Sequence, residues 1–467
     1  PIYQIFTDRF FDGDPSNNNL EGSYDPGFAG DGTWDSGNVH GGDFAGVMEK
    51  LDYIQALGFK AIWISPVVLN VWGEHHGYAA RDFHAVAPHF GTEAELRALA
   101  DALHARGMYL VVDVVTNHMG NMIDSGTAGY PTFVDDPSPY VLRWNSTKRP
   151  AAPFDNLDWF HNNGHIQNWV DPDQVLGELA GLDDLETRDA SVRAALEDAA
   201  GWLIETTDCD GFRIDTVKHV DMAFWQGWTP AVRAHAAGLG KTNFFFYGEV
   251  FDGSDAKCGS YTGTTAGGAF ALDSVLYFPM HYTMNDVFAF NLRTSRITDR
   301  YAALGSYDPA AQERLVSFLD NHDVARFLSF GVANQDATKL NAALDFMLTT
   351  RGVPCVYQGT EQAFDGGSDP YDREDMWDGS WEYGPSLGDN FNMTHPLYRR
   401  VRDLNDIRSR YDALRTGVFT ELKSESSAGI YAFRRAGAAE DAVVVVNSAS
   451  SSRSSGTLAT GWAAGTA

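Results

Sequence analysis

The sequence predicts an α/β protein whose main body is an eight-stranded α/β barrel, on three observations. Short β-rich runs alternate with helical stretches through most of the chain. There are eight such runs, "IYQIFTDRF", "AIWISPV", "YLVVDVV", "DGFRID", "FFFYGEV", "SVLYFP", "LVSFLD" and "VPCVYQG". Polar and acidic residues close several of them. Strand and helix in strict alternation give a parallel sheet, and eight such units suggest a closed barrel rather than an open sheet.

The elements follow in order. Asp43 starts the first helix, with Phe44, Val47, Met48, Leu51 and Ile54 as its buried face. Between the second and third runs, "GTEAELRALADALHARG" carries a capping-box pattern in Thr92 and Glu95, an apolar stripe of Leu96, Leu99 and Leu103, and a terminating Gly107. Residues 119–185 then break the rhythm: they are rich in Gly, Pro, Asn, Asp and Trp where a short connection is expected, which marks an inserted, loop-rich domain. The barrel resumes over 186–413. From 414 to 467 the pattern turns β-like and ends in "NSASSSRSSGTLATGWAAGTA", which reads as a C-terminal β-domain with its last strands missing or irregular. The first part of the barrel is thus 1–118.

Composition narrows the function. The chain has 467 residues, 44% of them hydrophobic, and no apolar run near the roughly 20 residues that span a bilayer. With 63 acidic against 34 basic residues its formal net charge is -29, which disfavours nucleic acid and anionic membranes as partners and favours a neutral substrate. Aromatic residues make up 13%, and flat rings suit the faces of sugars. Cys209, Cys258 and Cys355 allow at most one disulfide; buried free thiols are expected, and no metal-ligand spacing is visible among them. The chain begins at Pro1, so a removed signal peptide and secretion are expected, with a monomer favoured.

The run "DGFRIDTVKH" poses the sharpest question, because it mixes a buried-looking strand with charge. Phe212 and Ile214 share one face, Arg213 and Asp215 the other, so two opposite charges point the same way. A structural ion pair and a functional one are both open at this point. In α/β barrels the chemistry sits at the carboxyl ends of the strands. Here those ends carry Asp113, Asn117 and His118; Arg213 and Asp215; Glu249; and His322 with Asp323. Carboxylates at several different strand ends suggest a carboxylate-based active site, and glycoside hydrolysis is the reaction that characteristically uses paired carboxylates.

"DVVTNH", "GFRIDTVKH", "GEV" and "FLDNHD", in that order and spacing, resemble the four conserved regions of the α-amylase family, glycoside hydrolase family 13. "LDDLET", "HGYAARDFHAVAPHFGT" and "GGSDPYDRE" extend the likeness over roughly residues 1 to 410. The closest likeness is to fungal-type α-amylases, with an amino-terminal "YQIFTDRFFDGDPSNNN" similar to cyclodextrin glucanotransferases. The resemblance implies a (β/α)8 TIM barrel and a set of roles. Asp215 is the expected nucleophile, Glu249 the general acid/base, Asp323 the third carboxylate, and Arg213 the cation that holds Asp215 ionised and aimed. His118 and His322 would bond sugar hydroxyls, Tyr78 would stack on the ring, Lys218 and His219 would line the acceptor side, and Asp369 and Arg373 would grip the donor side.

The same comparison implies calcium. Asn117, Asp184 and the His219 carbonyl match a site that pins the inserted domain to the barrel, and Asp12, Asp14, Asn17, Asn18, Gly41 and Asp43 match a second. An ordinary Asx-rich turn is the alternative for the second site. Three departures bear on the reaction. Ala79 stands where fungal members carry an aromatic, and Ala180 stands where cyclising transferases carry a large one, which argues against cyclodextrin formation. Phe251 resembles the acceptor-site phenylalanine of those transferases and pulls the other way. The expectation is a retaining hydrolase of α-1,4-glucans such as starch or maltooligosaccharides. A glucanotransferase on the same substrates is the alternative, and a non-catalytic carbohydrate-binding barrel a third reading.

Overall fold

The computed structural model describes residues 1–25, 38–125, 131–136, 139–145, 148–263, 272–377 and 389–462. Parts of the expected inserted domain and the last five residues of the expected C-terminal domain lie outside them.

Each of the eight predicted runs contains a strand of one parallel sheet: β1 Ile2–Ile5, β2 Ala61–Ile64, β3 Tyr109–Val114, β4 Gly211–Ile214, β5 Phe245–Gly248, β6 Ser274–Val275, β7 Val316–Ser317 and β8 Val353–Tyr357. The order in the sheet is β6-β5-β4-β3-β2-β1-β8-β7. A bridge between Leu276 and Val316, with the Tyr277 amide donating to the Val316 carbonyl at 2.8 Å, joins the two ends into a ring.

Strand alternation then divides the apolar residues into two layers. Inward-facing Ile2, Trp63, Val111, Tyr247, Val316 and Cys355 fill the barrel interior. Outward-facing Ile62, Val112, Phe212, Ile214 and Phe246 pack under the helices. Arg213 falls on the inward face, where it is fully buried. Cys209, Cys258 and Cys355 are free, buried thiols.

Local signals explain the helices. The Asp43 carboxylate accepts from the Gly46 amide at 2.6 Å and caps α1, Phe44–Glu49. The single helix expected there breaks at Lys50, whose φ of -98° and ψ of 8° leave α-helical geometry, and restarts as α2, Leu51–Ala56. The predicted apolar face survives the break, with Phe44, Val47, Leu51 and Ile54 buried. Thr92 and Glu95 form the reciprocal capping box of α3, Glu93–Ala105, and its Leu96, Leu99 and Leu103 are wholly buried.

The segment between β3 and the helix α4, Ala190–Thr207, leaves and rejoins the barrel at one place: His118–Met119 pairs antiparallel with Asp183–Asp184. After the barrel, β9 Val418–Lys423, β10 Ile430–Ala436 and β11 Asp441–Asn447 form an antiparallel sheet with β10 central. Tyr431 and Phe433 of β10 pack on Phe346 at ring distances of 5.7 and 6.1 Å, seating this sheet on a barrel helix. Among the described residues no helix is long and apolar enough to cross a membrane.

Leu103 tests the outer layer. Leu103→Ala removes a fully buried side chain between helix and sheet, and is expected to cost about 2–5 kcal/mol. Urea unfolding followed by near-UV circular dichroism should show a clearly lower midpoint; an unchanged midpoint would contradict this packing.

Candidate active site

Register places the charges. In the parallel ladder Arg213 is level with Asp113 on one neighbouring strand and Tyr247 on the other. Arg213 and Asp113 point into the barrel beside the plug that Trp63 and Tyr247 make at ring distance 5.9 Å. Asp215 follows the end of β4 and Glu249 the end of β5, so the two carboxyls leave adjacent strands at the same level.

The Arg213 guanidinium joins them. Its Nη1 donates to Asp113 at 2.8 and 2.9 Å and to Asp215 Oδ1 at 2.8 Å, and its Nη2 pairs with Glu249 Oε2. Burial opposes the arginine's charge, but Asp113 and Glu249 outweigh it and keep the group protonated. Asp113 also accepts from Trp63 Nε1 at 3.1 Å and from the Tyr78 hydroxyl at 2.9 Å. Burial pushes its carboxyl up to about 7 against the pull of Arg213. Glu249 is held well above the usual carboxylate range, first by burial and then by the charges of Asp215, Asp323 and Asp113, with Arg213 opposing. Side chains of Asp215 and Glu249 are only 9% and 10% exposed, so each carboxyl reaches solvent through a narrow opening.

The loop after β7 brings the third carboxylate. Asp323 lies 3.3 Å from His322 Nε2 and accepts from Arg373 Nη2 at 3.4 Å. Burial raises Asp323, but nearby positive charge outweighs it and holds the group below its ordinary range. His322, Arg373 and Arg213 supply that charge, in that order, while burial drives the His322 imidazole itself down to about 3. Arg373 also donates to the His322 carbonyl at 2.9 Å and pairs with Asp369 at 3.2 Å.

Tyr78 sits between His76 and His322, with ring distances of 5.9 and 5.4 Å, and its hydroxyl meets His322 Nε2 at 2.6 Å. Gly77 makes that approach possible: its φ is +85°, and a Cβ there would lie 2.1 Å from the Pro66 carbonyl oxygen. His118 is buried beside Asn117, with its Nε2 unpartnered by protein. Lys218 Nζ donates to the Phe251 carbonyl at 2.6 Å, and His219 Nδ1 contacts the Gln174 carbonyl at 3.0 Å. The Phe251 ring packs on Phe278 at 4.4 Å and stays 36% exposed. Every residue expected around the three carboxylates therefore lies on the same mouth of the barrel or on the loops that border it.

Sequence reasoning missed three participants. Asp113 was visible as a strand-end acid, but its bond to Arg213 depends on register. Gln4 holds His322 Nδ1 at 2.7 Å from the opposite end of the chain. Trp169, 60% exposed, stands edge-on to His219 at 5.9 Å with Lys218 Nζ 5.8 Å from its ring. A lone tryptophan in an irregular stretch carries no sequence signal of that placement.

The residues proposed for metal binding can be tested as donor sets. Asp184 gives one oxygen to His161 Nδ1, while Oδ1 is buried with no well-aligned donor and the Asn117 side chain is the protein group that reaches this carboxylate. At the amino terminus Asp12 Oδ1, Asn17 Oδ1 and Asn18 Oδ1 are likewise buried acceptors without a protein donor. Orphaned hard oxygens fit a hard cation. Asp43 does not take part in that pattern: its carboxylate is filled by the amides of Gly13, Asp14 and Gly46 and by Asn17 Nδ2.

Arg213→Met leaves three buried carboxyls without their common cation. Breaking such a network costs about 3–5 kcal/mol, so the urea midpoint should fall along with activity. A variant as stable as the parent would show that the cation is not needed to hold the mouth together.

Known proteins resemble this chain along most of its length. Residues 4–384 match the family model described as the alpha amylase catalytic domain. A beta/alpha-amylase of Paenibacillus polymyxa is 36% identical over 460 residues, covering 96% of this chain and 33% of the relative. A cyclomaltodextrin glucanotransferase of Klebsiella oxytoca is 29% identical, covering 90% of this chain and 66% of that one. The crystal structure of an Anoxybacillus alpha-amylase superposes with a TM-score of 0.77 at 31% identity, covering 96% of this chain and 86% of the other. The chain spans only a third of the length of the Paenibacillus relative. On the match across most of its length, the chain belongs to the α-amylase family.

Proposed function

We propose that the protein is a retaining hydrolase of α-1,4-glucans, with Asp215 as nucleophile, Glu249 as general acid/base and Asp323 as the third carboxylate. The observation that carries this reading is the single guanidinium that spans Asp215 and Glu249. One planar group bonded to both favours the short separation, about 5–5.5 Å, of a retaining pair over the roughly 6.5–9.5 Å that leaves room for an inverting water.

In the first step Glu249 gives its proton to the leaving glycosidic oxygen while an Asp215 oxygen attacks the anomeric carbon, forming a glycosyl ester. Glu249, now ionised, takes a proton from water, which attacks the same carbon and releases the sugar with its configuration retained. Burial that raises the Glu249 carboxyl well above the usual carboxylate range suits it to the first of these steps. Arg213 orients Asp215, and Arg373 with Asp369 and Asp323 steadies the sugar on the donor side.

A transferase reading has its own support. Phe251 and Trp169 present exposed rings around Lys218 on the acceptor side, where a sugar acceptor would stack. Against it, Ala180, which the resemblance sets where cyclising transferases carry a large aromatic, is a small exposed residue at φ +52°. We favour hydrolysis on that ground. We read 119–185 as a separate domain on the substrate side, 414–467 as an appended β-domain, and secretion as the destination.

Calcium fits as a structural ion. Asn117, Asp184 Oδ1 and the His219 carbonyl would tie the root of the inserted segment to the barrel, and Asp12, Asn17 and Asn18 would form a second site with Asp14 and Gly41 nearby. The ion would supply charge neutralisation and rigidity there. Exhaustive chelation should lower the melting temperature, and calcium should restore it in proportion to its concentration over its dissociation constant. An unchanged melting curve after confirmed metal removal would contradict both sites.

Two measurements test the chemistry. Fresh product from a maltooligosaccharide, followed by NMR before mutarotation, should be the α-anomer and shorter than the substrate; β-product would overturn retention, and longer chains as the main early product would favour the transferase. As pH rises through the raised pKa of Glu249 its proton is lost, so kcat should fall on the alkaline side. Glu249→Gln should remove that limb together with activity, at a cost of several kcal/mol, on the order of 10²–10⁴-fold.

A further inference from the structure

The His322 imidazole is held on both edges, and the two contacts ask the same thing of it. On one edge Nε2 lies 2.6 Å from the Tyr78 hydroxyl and 3.3 Å from Asp323 Oδ2. Tyr78 has a single proton and donates it to Asp113 Oδ2 at 2.9 Å, an oxygen that also accepts from the donor-only groups Trp63 Nε1 and Arg213 Nη1. The Tyr78 oxygen and the Asp323 carboxylate therefore face Nε2 as acceptors, so Nε2 is the nitrogen that carries hydrogen. On the other edge Nδ1 meets Gln4 Nε2 at 2.7 Å. An amide nitrogen of this kind only donates, so Nδ1 is the acceptor and both edges agree on one neutral tautomer. Burial, which drives the imidazole down to about 3, opposes a second proton.

The fold fixes the donor. Gln4 lies on β1, level with Trp63 on one neighbouring strand and Tyr357 on the other, and its own carbonyl accepts from the Gln358 amide at 3.0 Å. It is 2% exposed, so its side chain reaches His322 from the barrel interior and not from the cleft. Phe6 and Trp63 wall the imidazole at ring distances of 5.6 and 5.9 Å. We propose that Gln4 is a positioning residue: its amide holds His322 as the Nε2–H tautomer, so that the ring offers the sugar a hydrogen-bond donor beside Asp323. A hydroxyl that accepts from Nε2–H is free to donate its own proton to the Asp323 carboxylate, and bonds aligned in one direction reinforce one another. The role at the sugar rests on the α-glucan reading above; the tautomer does not.

Two measurements test this. NMR of the parent labelled with ring-15N histidine, without substrate and with the His322 signals assigned by their loss in His322→Asn, reads the tautomer directly. Hydrogen is expected on Nε2 and not on Nδ1; hydrogen on Nδ1, alone or together with Nε2, overturns the proposal. Gln4→Met keeps a side chain of similar length and removes the donor. On maltoheptaose its kcat should fall about tenfold with KM within about twofold, and the His322 Nδ1 resonance should move. A parental kcat overturns the proposal, and so does a loss confined to KM or one that leaves the ring signals unchanged, which is what a purely structural glutamine would give. The NMR of the parent decides the tautomer even where the variant does not fold. A parent that leaves maltoheptaose uncut sinks the α-glucan reading, while the ring signals still decide whether Gln4 sets the tautomer.

Discussion

Everything at the barrel mouth depends on burying one cation among carboxyl groups. Arg213 has no contact with solvent, and its charge is tolerable only because Asp113, Asp215 and Glu249 surround it. A buried charge is costly unless paired, and removing one partner leaves the others uncompensated. The same arrangement does chemical work. Asp113 shares the arginine but is also held by Trp63 and Tyr78 at the base of the mouth, whereas Asp215 and Glu249 keep their outer edges towards the cleft. The fold supplies the means: parallel register sets Arg213 beside Asp113, and the strand ends place the two other acids one step higher.

The two sides of the mouth, which we propose as the donor and acceptor sides, are built differently. On the donor side, Arg373 ties Asp323 and Asp369 into a charged, hydrogen-bonding frame. On the acceptor side, exposed rings at Trp169 and Phe251 flank Lys218. A neutral polyhydroxylated chain suits both, with hydroxyls for the first and apolar ring faces for the second. The net charge of -29 is consistent with such a substrate, because it adds nothing to the binding of a neutral sugar and repels polyanions.

Much of this was legible in the sequence, because the features concerned are local. The eight strands follow from short apolar runs bounded by turns, and the caps at Asp43 and Thr92 from spacing within one helical turn. Arg213 and Asp215 share a face by alternation alone. The rest depends on distant contacts. The break at Lys50 violates no propensity, and the Asp113 to Arg213 bond joins residues 100 positions apart through strand register. The resemblance groups Asp43 with the calcium donors, and its carboxylate also accepts from the backbone amides of Gly13, Asp14 and Gly46, contacts that spacing alone does not reveal. The orphaned oxygens of Asp12, Asn17 and Asn18 could be recognised only once the fold had closed around them.

The claim at the centre is that Asp215, aimed by Arg213, forms a covalent bond with the sugar. Treating the protein with a fluorinated α-glucosyl fluoride, which forms its glycosyl–enzyme faster than it releases it, and then mapping the modified peptide by mass spectrometry tests this directly. The account predicts one sugar per chain, attached at Asp215 and absent from Asp215→Asn. A label on Glu249 or Asp323, or full turnover by an enzyme in which Asp215 is never modified, would contradict it.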